Sequence, residues 1–432
     1  MQYIKIMDRE NILKILSSWN FWNHHIDTGI NRSFYDDKII DLFNDNQIKI
    51  IIETGIRRSG KSFISKQIAE ALIKKSFSKT QVLIINLGDE RLIEREYNLL
   101  LDIYNVYRET INPDKQAIVI LDEAQEVPGW ERFVRGISER DEAKFIITGS
   151  SLKLLDSEYS TLLSGRHIVI YVHPLNYTEF VKFKGGGSIT EYLMHGGFPA
   201  IVLSNNKQEL ADSYFNTIIL KDVIQRFNIH EPDAIIKLAK FYITSIGSKI
   251  TFNSISKFLS MPVKTIYNYS LYLEKAYLLF FVDRFSFSIK GQNNSPKKVY
   301  TIDNSFPYFL GINPVEIKGR LLENTVAATL FAISKNNPQF HFYYWNENNR
   351  EVDFVVKNKN TYMAIQVSYN LNNEKTRARE TDGLINCCNR LNLNSGEIIT
   401  FDYAKEELIN NVLIKYTPVE DWIHRTITSL KI

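Results

Sequence analysis

The stretch Gly55-Ile56-Arg57-Arg58-Ser59-Gly60-Lys61-Ser62 fits G-x-x-x-x-G-K-[ST], a string that few folds can host. The aliphatic run Ile48-Lys49-Ile50-Ile51-Ile52 before it reads as a buried strand. Behind it, Ile64, Ile68, Ala71 and Leu72 recur at helical spacing from Phe63 to Lys75. Strand, glycine turn and helix together make a cradle for phosphate. Gly55 and Gly60 let successive N–H groups converge at a helix N-terminus, where anions are already favoured. Lys61 would place a point charge between β- and γ-phosphates, and the Ser62 hydroxyl would ligate Mg²⁺. The turn therefore predicts a nucleotide-binding protein.

A chain of 432 residues predicts two to four domains. Lys and Arg number 52 against 49 Asp and Glu, so any surface for nucleic acid must be local. The two cysteines, Cys387 and Cys388, are adjacent, too few for a disulfide framework or a cysteine metal site. Met1 to Asp8 does not read as a signal peptide, and the longest apolar runs are far short of a membrane span. These features predict a cytoplasmic, multidomain protein with no membrane partner.

Residues 1–46 read as an extension with one helix, Arg9 to Trp19. From 47 to 187, strand and helix signals alternate, which predicts an α/β domain around a parallel sheet. Ala117 to Leu121 is a buried strand that ends in Asp122-Glu123. Both carboxylates should emerge at the carboxyl edge of the sheet, where open α/β folds bind ligands. There Asp122 would hold Mg²⁺ through its water shell, and Glu123 would polarise an attacking water. The strand Gln81 to Leu87 between the two motifs places the loop strand away from its neighbour in sequence. Thr148, Ser150 and Ser151 end the next strand, where a hydroxyl can contact the γ-phosphate or equally make a turn. Arg166, just before the last strand, is placed to stabilise transferred charge on a neighbouring subunit, which would require a homo-oligomer.

Gly-Ile-Arg-Arg-Ser-Gly-Lys-Ser, Ile-Leu-Asp-Glu-Ala-Gln, Ile-Thr-Gly-Ser-Ser, Leu-Ser-Gly-Arg and His173-Pro174-Leu175 follow one another in an order that resembles one family. It is the prokaryotic AAA+-like P-loop ATPases with a C-terminal domain of unknown function. Gly196-Gly197-Phe198-Pro199 and Leu220-Lys221-Asp222 extend the resemblance. It implies ATP and Mg²⁺ at residues 55–62, Asp122 and Glu123, with Thr148 or Ser150 as a sensor and Arg166 as a finger.

Lys184-Gly185-Gly186-Gly187-Ser188 reads as a hinge to a helical lid over 188–231. Residues 232–304 read as three helices and a hairpin, a winged helix-turn-helix. If it binds double-stranded DNA, Lys264, Thr265, Tyr267 and Asn268 would enter the major groove, with Lys290, Lys297 and Lys298 on the wing against phosphates. The alternative use of such a module is contact with a partner protein. Residues 305–432 resemble a restriction-endonuclease-like α/β core, in which Glu323, Asp353 and Gln366 stand where a second divalent metal would bind. Gln366 offers a neutral oxygen there, and Ser368 replaces the usual lysine, both of which weaken a nuclease site. Three readings follow: an ATPase coupled to its C-terminal half, a slow ATP-dependent switch, and an ATP-regulated nuclease.

Overall fold

The computed structural model describes residues 8–93, 95–149, 165, 167–311, 317–371 and 373–430. Arg166, Ser150 and Ser151 lie outside them. The chain divides into two compact units, Met1–Gly55 with Gly60–Val172, and Ile56–Ser59 with His173–Ile432.

The first unit is built on five parallel strands: β1 (Ile50–Thr54), β2 (Val82–Asn86), β3 (Ala117–Asp122), β4 (Ala143–Thr148) and β5 (His167–Tyr171), in the order β2-β3-β4-β1-β5. β1 is thus separated from β2 by two other strands, as the intervening strand predicted. Every residue of β1 and β4 is buried, because helices cover both faces of a parallel sheet. Helices Arg9–Trp19, Tyr97–Thr110 and Trp130–Glu139 pack one face through Leu16, Leu100, Tyr104 and Phe133. Helices Ser33–Asn44 and Lys61–Lys75 pack the other through Tyr35, Ile39, Ile64 and Ile68. Residues 8–46 therefore carry two helices rather than the single one expected, one in each core. The Asn20 side chain donates to Ile84 O at 2.9 Å and accepts from Ile84 N at 2.7 Å, fixing the segment to β2.

The second unit begins earlier than the glycine run suggested, at His173. Gly185, Gly186 and Gly187 do adopt positive φ, but they form a turn between two packed helices, Tyr177–Lys184 and Ile189–His195. Phe180 meets Tyr192 edge-on at 5.4 Å across that turn, so it is not a boundary between units. Further helices run over Pro199–Leu203 and Lys207–Thr217, the latter continuing as a π-helix, Ile218–Ile224. Helices Pro232–Thr244, Phe252–Leu259 and Val263–Lys275 follow, with a small antiparallel sheet of β6 (Lys249–Ile250), β8 (Lys297–Thr301) and β7 (Leu279–Val282) in that spatial order. Beyond them, helix Lys318–Asn336 precedes a six-stranded mixed sheet. Its strands are β9 (Phe340–Glu347), β10 (Arg350–Asn358), β11 (Thr361–Ser368), β12 (Ser395–Thr400), β13 (Lys405–Ile409) and β14 (Val412–Pro418), in the order β13-β14-β12-β11-β10-β9. Helix Glu374–Arg390 buries Leu384, Cys387 and Cys388 against this sheet, and burial pushes both thiols up. Among the described residues no helix is long and apolar enough to cross a membrane.

Candidate functional site

β1 ends at Thr54, and the chain turns at Gly55 with φ +141°. A Cβ there would lie 2.1 Å from Val172 O, so only glycine permits this approach. Gly60, at φ +100°, opens helix Lys61–Lys75. Lys61 is buried, and its ammonium donates to Gly55 O at 2.9 Å. The Ser62 hydroxyl donates to Asp122 Oδ1 at 3.0 Å, and the Thr148 hydroxyl donates to the same oxygen. Thr148 also accepts from Glu123 N at 3.3 Å. Lys61, Ser62, Asp122, Glu123 and Thr148, expected to act together, are thus brought together at the carboxyl edge of β3 and β4. Ser62, Asp122 and Glu123 line a cavity of about 400 Å³ with Trp19, Asn86 and Gly88.

Electrostatics in this corner are unbalanced. Burial raises the Asp122 carboxyl above its ordinary range, while the hydroxyls of Thr148 and Ser62 and the charge of Lys61 hold it down. Glu53, which the sequence did not mark as a site residue, is wholly buried on β1, and burial pushes it up to about 8. Ser65 donates to its Oε2 at 3.2 Å, but Oε1 has no partner among the described residues. A buried charge is tolerated only when paired or neutralised, and the raised Glu53 carboxyl is neutralised by keeping its proton up to about pH 8. A hydroxyl and a carboxylate side by side are hard oxygen donors of the kind Mg²⁺ takes. Ser62 and Asp122 therefore fit the ion the glycine turn implies. Glu123 sits at φ +55° and accepts from the Gln125 side chain. Its carboxylate lies in the cavity but is held by that amide.

Arg57 and Arg58, counted with the phosphate cradle from sequence, have other partners. Arg57 makes a forked ion pair with Asp222, Nε to Oδ2 and Nη2 to Oδ1, both at 2.8 Å. The Arg58 guanidinium lies over the Tyr214 ring at 5.6 Å. Asp222 was legible only as part of a family resemblance, since the motif itself does not reach it.

In the second unit the expected metal residues do converge, but around a cation the chain already owns. Lys298, only 2% exposed, places its ammonium 3.0 Å from Glu323, 2.8 Å from Glu351 and 2.8 Å from Asp353. Tyr300 donates to Glu323 at 2.6 Å. Gln366 accepts from Asp353 N at 3.0 Å and donates to Glu380 at 2.6 Å. Among the described residues no group of three metal-ligating side chains is arranged to hold an ion. Of the residues expected to hold a second metal, Glu323 and Asp353 are thus engaged by the Lys298 ammonium and Gln366 by Asp353 N and Glu380. The expectation for Lys298 is corrected, because a side chain this buried cannot touch phosphates from a wing. Lys297 pairs with Asp283, whereas Lys290 is exposed. Arg377 and Arg379, on the helix that follows β11, pair with Glu407 and Glu380 at 2.9 and 2.5 Å. On helix Val263–Lys275, Lys264 and Tyr267 are exposed and Thr265 and Asn268 half-buried. Phe258 and Val263 are exposed nearby, an apolar character that groove-binding helices do not need.

Three family models divide the chain. Residues 46–181 match an AAA domain, 187–316 a domain of unknown function (DUF8612), and 318–421 another (DUF4143). The fold and site thus define an AAA-type, ATPase-like domain followed by two domains of unknown function. The chain is 33% identical over 391 residues to the uncharacterized protein MJ1544 of Methanocaldococcus jannaschii, spanning 84% of this chain and 83% of that one, and it belongs to that protein's family. It is also 25% identical to an uncharacterized Haemophilus influenzae protein over 91% of this chain and 98% of that one. Among solved structures it is similar to C. elegans PCH-2, at 14% identity and a TM-score of 0.26 over 63% of this chain and 69% of that one.

Proposed function

We propose that this protein binds and hydrolyses ATP with Mg²⁺. The observation that carries the reading is the chain of hydrogen bonds from Ser62 and Thr148 to Asp122, at the mouth of a cavity that also holds Glu123. The N–H groups of the glycine turn cradle phosphate oxygens, and Lys61 exchanges Gly55 O for a phosphate oxygen. Mg²⁺, when bound, neutralises charge between the β- and γ-phosphates. Asp122 and Ser62 hold that ion, with Thr148 fixing the Asp122 carboxylate. Glu123 orients a water toward the γ-phosphate and takes its proton. Equilibrium binding of a fluorescent ATP analogue, followed by phosphate release, tests this. A protein that binds no nucleotide at millimolar Mg·ATP would sink it.

A slow switch is the second reading, and the bond from Gln125 to Glu123 favours it, because the carboxylate must leave that amide before it can orient water. Turnover that rises in Gln125→Ala supports the switch; unchanged turnover removes the restraint. Partner choice follows the surface on Val263–Lys275. With Lys298 buried and Lys297 paired, its exposed Val263 and Tyr267 and the nearby Phe258 support a protein partner over duplex DNA. Hydrolysis measured with and without DNA decides between them. The proposal includes assembly into an oligomer in which Arg166 acts across the interface, and mass in each nucleotide state is its measurement.

A further inference from the structure

The phosphate-loop motif leaves four positions open, because backbone N–H groups and the lysine make the cradle. This chain fills two of them with arginine, and both side chains are anchored on one helical segment, 207–224. Arg57 forks onto Asp222, with side chains 22% and 7% exposed. Arg58 covers Tyr214 while its own backbone sits at φ +71°, a left-handed conformation that strains a non-glycine residue. Tyr214 and Asp222 flank the point where helix Lys207–Thr217 becomes the π-helix Ile218–Ile224. Such widened turns are rare and gather at functional sites. The tip of the loop, Ile56–Ser59, clusters with this second unit rather than with the sheet that carries Lys61 and Ser62.

We propose that Arg57 and Arg58 report nucleotide occupancy: Asp222 and Tyr214 couple the backbone of the phosphate loop to segment 207–224, so that filling the loop changes the stability of that segment. The inference rests on the ATP-site reading and adds a positioning residue, Asp222, outside the motif. A forked arginine–carboxylate pair is directional as well as strong. When the loop rearranges around phosphate, the guanidinium cannot shift without either carrying Asp222 along or breaking the fork. A mere structural ion pair would hold the same geometry in both nucleotide states.

Hydrogen exchange of the full chain, with and without Mg·ATP, separates these outcomes. In the wild type, exchange within 207–224 should change by about tenfold or more on adding Mg·ATP. In Asp222→Asn, with nucleotide bound, that response should fall below about threefold. Should Asp222→Asn fail to fold, Arg57→Lys replaces it, since an ammonium keeps the charge but cannot fork. An undiminished response in either folded variant overturns the inference. So does a wild type that binds ATP with no change in 207–224, and in that case the ATP site stands. A wild type that binds no ATP overturns both.

Discussion

Glu53 and Asp122 beside the glycine turn, and Glu323 and Asp353 in the C-terminal core, are carboxylates gathered from separate elements, with Glu53 and Asp353 buried and Asp122 and Glu323 half-buried. Their cations differ. In the first cluster Lys61 turns its ammonium to Gly55 O, burial raises both acids, and one oxygen of Glu53 is left without a partner among the described residues. In the second, Lys298 stands within 3.0 Å of three carboxylates. Burial works against the Glu351 charge, yet the Lys298 ammonium wins and holds that carboxyl below its ordinary range. The lysine itself is raised well above its usual value, as its acidic neighbours outweigh burial. In the first cluster Asp122 lines a cavity; in the second a lysine fills the space between the acids, although burial and the Asp353 charge still push Glu323 up to about 7.

The sharpest way to break this contrast is to remove the resident cation. Lys298→Met should lose about 3–5 kcal/mol of stability, the usual result of leaving a buried charge uncompensated. Part of that loss should return with millimolar Mn²⁺, which the wild type ignores; a wild type stabilised by Mn²⁺ as much as the variant would erase the distinction. At the other cluster, Glu123→Gln should keep ATP binding and slow phosphate release by at least about 10²-fold, as expected for a positioned base. Normal turnover there means another group orients the water. Lys61→Ala should weaken ATP binding about 10- to 100-fold, the value of charge-assisted bonds to phosphate, read by the same fluorescent titration.

The smallest effect concerns Glu53. Its folded carboxyl titrates near 8 instead of near 4.5, because burial disfavours its charge. Stability from this group is present below pH 4.5 and drains away as pH rises toward 8. Glu53→Gln should therefore gain on the wild type between pH 5 and pH 8, by on the order of 1–3 kcal/mol in denaturant melts. A constant difference across that window would show that Glu53 carries no such burden.

Much of the first cluster can be read directly from the order of residues. Strand, glycine turn and helix are local, and aliphatic runs that demand burial on both faces put Asp122, Glu123 and Thr148 at one sheet edge. Glu53 escapes such a reading because alternation along a strand gives no sign that a carboxylate faces inward among acids. The second helix over 8–46 escapes it for a similar reason, since apolar residues there say only that the segment packs, not on which sheet face. The glycine run at 185–187 falls where the matched families change, between 181 and 187, yet inside one compact unit. Glycines mark a turn, and only the contact of Phe180 with Tyr192 shows that the turn joins two elements of one unit.

By itself the sequence determined the glycine turn between strand and helix, the parallel sheet and the pair of acids, since each follows from short-range sterics and the burial of aliphatic runs. Tertiary structure alone decided where two lone cations went: Arg57 to an acid 165 positions away, and Lys298 to one 55 positions away. Spacing along the chain cannot announce such pairs, because a long side chain's partner is chosen by whichever charges the packed elements bury beside it.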